Sequence, residues 1–207
     1  MNKKVSILFI LLLFSFILPC SVYAAQTVSD TSQSVDVQEQ STVKVAILPV
    51  IGGSRYYEDV NAYIYNELVK SVHIPLNGVL NLMEYVDKDK TAAVAADLLS
   101  SGVDITKEEG LKQAADKLNA DLVIGVKIDF MAQDIVHTFD EDNDPFLISR
   151  LGLQLFVYDS RTGQYSCLTN QQYYDDVYSP SGTVDALAND SMFYLLKKAD
   201  VKQYIRK

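Results

Sequence analysis

The sequence predicts an α/β fold: a single mixed β-sheet with helices packed mainly on one face, in the order β-α-β-α-α-β-β-β-α. Three observations predict it. The runs from Val43 to Val50 and from Asp121 to Ile128 are short, β-branched and almost wholly apolar, which is how strands covered on both faces read. The segments between them repeat apolar residues at three- and four-residue spacing, the period of helices that pack on a sheet. Near the end, two strand-like segments flank a Gly-containing turn, the signature of an antiparallel hairpin. Two βα units followed by a hairpin make the sheet mixed.

Residues 1–25 precede this fold. Lys3 and Lys4 are followed by an apolar run from Val5 to Leu18, then Pro19, then Val22-Tyr23-Ala24-Ala25 with the small-residue spacing of signal peptidase substrates. This is the pattern of a secretory signal peptide. The run is shorter than the roughly 20 apolar residues that span a bilayer, so no stable membrane span is expected after cleavage. Ile17-Leu18-Pro19-Cys20 departs from a lipoprotein box because Pro19 stands where a small residue belongs; lipid anchoring through Cys20 is the disfavoured alternative. Residues 26–41 are rich in Ser, Thr, Gln, Asp and Val, with no Leu, Ile or aromatic residue, and read as a flexible polar linker. A single domain then covers 42–207.

Within it, Val43 to Val50 is the first strand, stopped by Pro49 and Gly52-Gly53. Val60, Ile64, Leu68 and Val72 make one face of a helix over Glu58 to Val72. Pro75 and Asn77-Gly78 interrupt the chain, and Val79 to Val86 reads as a second strand. Asp87 or Asp89 caps the next helix, which runs to Leu99 and stops at Ser101-Gly102. Thr106-Lys107-Glu108-Glu109 has the form of a capping box for a helix with the stripe Leu111, Ala114, Ala115, Leu118. Asn119 is its left-handed terminator. After the strand to Ile128, Phe139 to Pro145 is an acidic loop. Leu147 to Tyr158 alternates, Asp159-Ser160-Arg161-Thr162-Gly163 turns, and Gln164 to Tyr174 returns. A last helix starts near Ser181 to Thr183 and buries Val184, Leu187, Ala188, Met192, Leu195 and Leu196.

Composition narrows the function. Without residues 1–25 the chain keeps 16 basic and 27 acidic residues, a formal charge of −11. Such a chain is repelled by phosphate backbones, so no nucleic acid is expected as a partner. Cys167 is the one cysteine after cleavage, which rules out an intrachain disulfide and leaves an inert buried thiol as its role.

Few constellations carry chemistry. Asp140, Asp142 and Asp144 match the first three ligands of a calcium loop, but Pro145 stands where that loop needs Gly and Leu151 where it needs Glu. A solvated acidic loop is the better reading; these three aspartates are the weak metal candidates. Asp175 and Asp176 are neighbours on a strand and point to opposite faces, so they do not form the facing pair of a glycosidase. Gly52-Gly53-Ser54 lacks the Lys of a phosphate-binding loop, and Ser191 lacks a nucleophile elbow. The chain has thirteen tyrosines and no tryptophan. Tyrosine suits protein contacts because it buries area at small entropic cost, and Tyr173, Tyr174 and Tyr178 are the partner-binding candidates.

Val45-Ala46-Ile47-Leu48-Pro49-Val50, Leu118-Asn119-Ala120-Asp121-Leu122-Val123-Ile124-Gly125 and Val157-Tyr158-Asp159-Ser160-Arg161-Thr162-Gly163 occur in an order and spacing that resembles the fold shared by the TolB amino-terminal domain, CsgG and LpoB. The resemblance covers most of Val43 to Leu196. It implies a non-enzymatic accessory domain of the bacterial periplasm or cell surface that binds an envelope protein, with no cofactor and no catalytic residue to carry over. The sequence departs from the pattern at Val50, where Phe is usual, and it lacks the TolB propeller and a CsgG-type transmembrane hairpin. The competing readings are a subunit of an envelope or secretion assembly, which includes a homo-oligomer, and a metal-assisted hydrolase built on the Asp140–Asp144 loop.

Overall fold

The computed structural model describes residues 42–53, 57–137 and 144–205. Residues 1–41, to which the sequence assigns an expected signal peptide and linker and which include Cys20, lie outside the described residues, as do Asp140 and Asp142.

Strand β1 (Val43–Ile47) sits inside the sheet, and its neighbours alternate between two cores. Val43, Val45 and Ile47 face one, Ala46 and Leu48 the other. Helix α1 (Glu58–Val72) leads from it to β3 (Met83–Tyr85), which pairs parallel to β1 on one side. Helices α3 (Lys88–Ser100) and α4 (Glu108–Leu118) lead from β3 to β4 (Leu122–Val136), parallel to β1 on the other side. A two-residue strand, β2 (Ile51–Gly52), pairs parallel with β4 beyond the end of β1. Strands β5 (Phe146–Asp159) and β6 (Gln164–Val177) continue antiparallel, giving the order β3-β1-β4-β5-β6. Helix α5 (Val184–Ala199) closes the fold. The mixed sheet and the α/β class are those the sequence predicts.

The helices divide more evenly than the expected layering mainly on one face. The larger core lies under α1 and α5, and a smaller one lies under α3 and α4 on the opposite face. Handedness explains this. The first crossover moves outward from β1 and the second returns past it, so two right-handed crossovers must lie on opposite faces. Ala95, Ala114 and Ala115 let α3 and α4 approach the sheet closely, and Gly125 leaves room for the Phe156 ring.

Two local expectations are corrected. The segment from Val79 is not a strand: Asn77–Leu80 forms a short helical turn, α2, and only Met83–Tyr85 pairs. Asn77 directs this, since its Oδ1 accepts from the Leu82 and Met83 amides and its Nδ2 donates to the Met83 carbonyl. The side chain thus supplies the bonds a neighbouring strand would have made. Thr106 does not cap α4 either. The helix starts at Glu108 with no side-chain cap, and the Thr106 hydroxyl donates to Asp104 Oδ1 at 2.6 Å. A carboxylate is a stronger acceptor than the competing arrangement, because the bond is charge-assisted. Asp87 does cap α3, accepting from the Lys90 amide, and Asn119 ends α4 at φ 50°.

The hairpin turn is tied down from within. Asp159 is fully buried and accepts from the Arg161 amide, Nε and Nη2. Arg161 also donates to the Tyr204 carbonyl, which fixes the carboxy-terminal turn to the hairpin. Asp121 Oδ2 accepts from the Lys44 amide and joins the root of β4 to β1.

The bonds from the Thr106 hydroxyl and amide hold the Asp104 carboxyl below its usual range. A depressed carboxylate stabilises the fold above its unfolded pKa of about 4 and loses that contribution as pH falls through its lower folded value. Asp104→Asn is therefore expected to cost about 0.5 kcal/mol at neutral pH, a figure kept small by solvent screening of this exposed group. Urea melts of the two proteins should converge near pH 2; an equal gap at both pH values would contradict this account.

Candidate functional site

The site is the far half of the β4–β5–β6 meander. β4 outruns its parallel partners, and Asp129 is the extra residue of a β-bulge between Ile128 and Phe130. Its carboxylate reaches back to Lys127 at 3.0 Å. The bulge changes the parity of the strand. Before it, Leu122, Ile124, Val126 and Ile128 face the larger core; after it, Met131 does. Phe130, Ala132 and Asp134 therefore turn to the other face, the one that α3 and α4 cover only as far as Phe156 and Tyr158.

The two faces of this half differ. On the covered face, Leu147 and Ser149 are buried beneath α5 and the 3₁₀ turn Pro180–Gly182. The Val184 amide donates to Gln133 Oε1, and the Ser191 hydroxyl donates to Asn170 Oδ1, both at 2.9 Å. On the open face, register sets Phe130 beside Gly152 and Gln171, Ala132 beside Arg150 and Tyr173, and Asp134 beside Ile148 and Asp175. Phe130 lies over Gly152, where an added Cβ would come within 2.6 Å of its ring. Its ring centroid is 5.9 Å from that of Tyr173. Together with Met131, Ala132 and Arg150 these two rings line a shallow depression of about 320 Å³. Beyond it, Val136, Phe146 and Val177 share one rung at the end of the sheet, all exposed, with Ile135 and Tyr178 beside them. Exposed apolar residues grouped in this way mark interaction surfaces, whereas single ones do not.

The three tyrosines singled out in the sequence part company here. Tyr173 is 66% exposed and stands on the open face. Tyr174 faces the other way, packs over Gly182, and donates its hydroxyl to the Val177 carbonyl. Tyr178 sits at the end of the sheet, where its amide donates to the Pro145 carbonyl. Asp144 is exposed next to the start of β5, while Asp140 and Asp142 lie outside the described residues. Among the described residues no group of three His, Cys, Asp or Glu side chains is placed to hold a metal. Cys167 lies half-buried on β6 opposite Phe156. Its neighbour Tyr165 donates to the Thr106 carbonyl at 2.8 Å, and burial, followed by the Cys167 side chain, pushes its phenol well above the ordinary value. Phe130, Arg150, Val136 and Phe146 were missed in the sequence. The β-branched pair Ile135-Val136 was the available sign that β4 continues.

No protein-family model and no curated protein matches this chain. Solved structures of partly similar shape include the hypothetical protein CT253 from Chlamydia trachomatis, at 16% identity and TM-score 0.45, covering 80% of this chain and 99% of that one. Lipoprotein GNA1162 from Neisseria meningitidis has 12% identity and TM-score 0.36, covering 76% and 99%. The LpoB C-terminal domain from Salmonella enterica has 10% identity and TM-score 0.31, covering 66% and 86%.

The geometry separates the adjacent tyrosines by experiment. Tyr174→Ala is expected to cost about 1.5 kcal/mol, since it empties the space over Gly182 at a partly buried position. Tyr173→Ala should stay within about 0.5 kcal/mol of the parent. Chemical denaturation of both variants checks this; equal losses would contradict the assignment of faces.

Proposed function

We propose that this protein is exported to the bacterial envelope and serves there as an accessory module that docks a protein partner, without catalysis. The observation that carries this is the open half-sheet: Phe130, Tyr173, Ile148, Val136, Phe146 and Val177 on one face, with no described element covering them. Left in water, this surface forgoes the roughly 25 cal/mol gained per Å² of apolar burial, so a partner that covers it binds. Rigid aromatic anchors on a preformed sheet lose little entropy on docking. Arg150 and Asp175 supply polar points among the anchors. Export is supported by the signal-peptide pattern of residues 1–25. Among the described residues no helix is long and apolar enough to cross a membrane.

Photocrosslinking tests the reading. A photoreactive residue at position 173 should capture one discrete protein in the envelope fraction, and the same residue at position 116 on α4 should not. Phe146→Asp should abolish the capture at 173 while leaving the melting temperature unchanged. Indiscriminate capture at both positions, or capture that survives Phe146→Asp, would count against a docking face at this end of the sheet.

A further inference from the structure

The sheet ends on β6, and among the described residues no strand pairs with its outer edge. The direction of its backbone groups follows from one bond. The Tyr178 amide donates to the Pro145 carbonyl, and the register carries that pairing on through Asp176–Leu147, Tyr174–Ser149, Gln172–Leu151 and Asn170–Leu153. In an antiparallel ladder the bonded pairs alternate with non-bonded ones. Even-numbered residues of β6 therefore turn N–H and C=O toward β5, and Cys167, Thr169, Gln171, Tyr173 and Asp175 turn theirs outward. Val177 shares this phase: its outward amide donates to Asp176 Oδ1 at 2.7 Å, and its outward carbonyl accepts from the Tyr174 hydroxyl at 2.8 Å. The chain thus closes the edge at its tip and leaves it open before.

Edges of this length are normally guarded by Lys, Pro, a bulge or an inward charge, because an unguarded one templates another strand. From Gln164 to Tyr174 the edge carries no charge and no Pro, and its pairing with β5 has no register shift. The charge comes after. Asp175 and Asp176 end the strand, Asp134 shares a rung with Asp175, and Asp144 precedes β5. Arg150 is the one cation on this half of the open face among the described residues. A second copy of β6 brings no Lys or Arg to answer these acids.

We propose that β6 accepts one further strand, an extended segment of a partner protein that carries lysine or arginine where it meets Asp175 and Asp176. This rests on the docking function above and gives the partner its chemistry. Backbone bonds to the outward groups would supply affinity, and the acidic end would set the direction of the segment.

The test uses the full mature chain and a labelled ten-residue peptide of alternating Thr and Val that ends in two lysines, followed by fluorescence anisotropy. It should bind at least tenfold more tightly than the same peptide ending in two glutamates, and the difference should shrink in high salt. Thr169→Pro removes an outward amide without breaking a bond to β5. It should weaken binding at least tenfold and leave the melting temperature within a few degrees. Thr169→Lys, which places a guarding charge on the edge, should do the same and serves if the proline variant misfolds. Undiminished binding by folded Thr169→Pro and Thr169→Lys proteins would overturn the proposal. So would equal binding of the two peptides, or a parent chain that sediments as a dimer and becomes monomeric with Thr169→Pro. If Phe146→Asp abolishes peptide binding and both Thr169 variants keep it, the face docks a partner but not as a strand, and only the present inference fails. If none of the three affects it, both fail.

Discussion

Strand β4 is fifteen residues long, and β1, its parallel neighbour, is five. The rest of the structure follows from that mismatch. Where β4 runs beside β1 it is buried on both faces, because crossover helices lie above and below. Where it continues beyond its parallel neighbours, paired only with β5, no further crossover exists to cover it. The bulge at Asp129 falls near this transition. It lets the strand exchange one facing pattern for the other, so that Met131 stays against α5 while Phe130 turns outward. Bulges at such places re-aim side chains and bend the strand that carries them. The exposed surface is therefore built by the same feature that extends the sheet.

The fold spends its covering material unevenly. Both faces of the parallel half are sealed, and Arg161, paired with the buried Asp159, fastens the hairpin turn to the carboxy-terminal turn at that end. Removing the Arg161 side chain leaves the buried Asp159 carboxylate without its charge partner, so this end is anchored firmly. At the other end α5 and the turn before it seal one face only. The aromatic residues there do not collapse onto a core; Phe130 lies on Gly152 and stays beside Tyr173. A rigid half-sheet with one dry face and one wet face can dock another protein without first reorganising. Acidic side chains near its end give this apolar surface a negative border.

Much of the fold was legible in the sequence. The central strands β1 and β4 announced themselves as nearly continuous apolar runs, the helices through their stripes, and the hairpin through alternation around Gly163. The failures have local causes. Asn77 forms with its side chain the bonds that a strand would make, and periodicity does not register such mimicry. Thr106 has the sequence of a cap, but Asp104, two residues earlier, takes its hydroxyl first. The bulge at Asp129 broke the alternation that would have carried β4 beyond Ile128, and with it went Phe130 and Val136. Of the three tyrosines, Tyr173 stands on the open face and Tyr178 beside the exposed end of the sheet. Tyr174 alternates onto the covered side, as period two requires once the register is known.

Amide hydrogen exchange along β6, read residue by residue by NMR, tests the central claim most directly. In the free protein the amides of Leu168, Asn170 and Gln172 should be protected by β5, while those of Thr169, Gln171 and Tyr173 exchange at nearly the rate of an unstructured chain. That alternation is what an open edge produces. Uniform protection through all six positions would mean that the edge is already covered, and it would contradict an account in which this strand is left free for a partner.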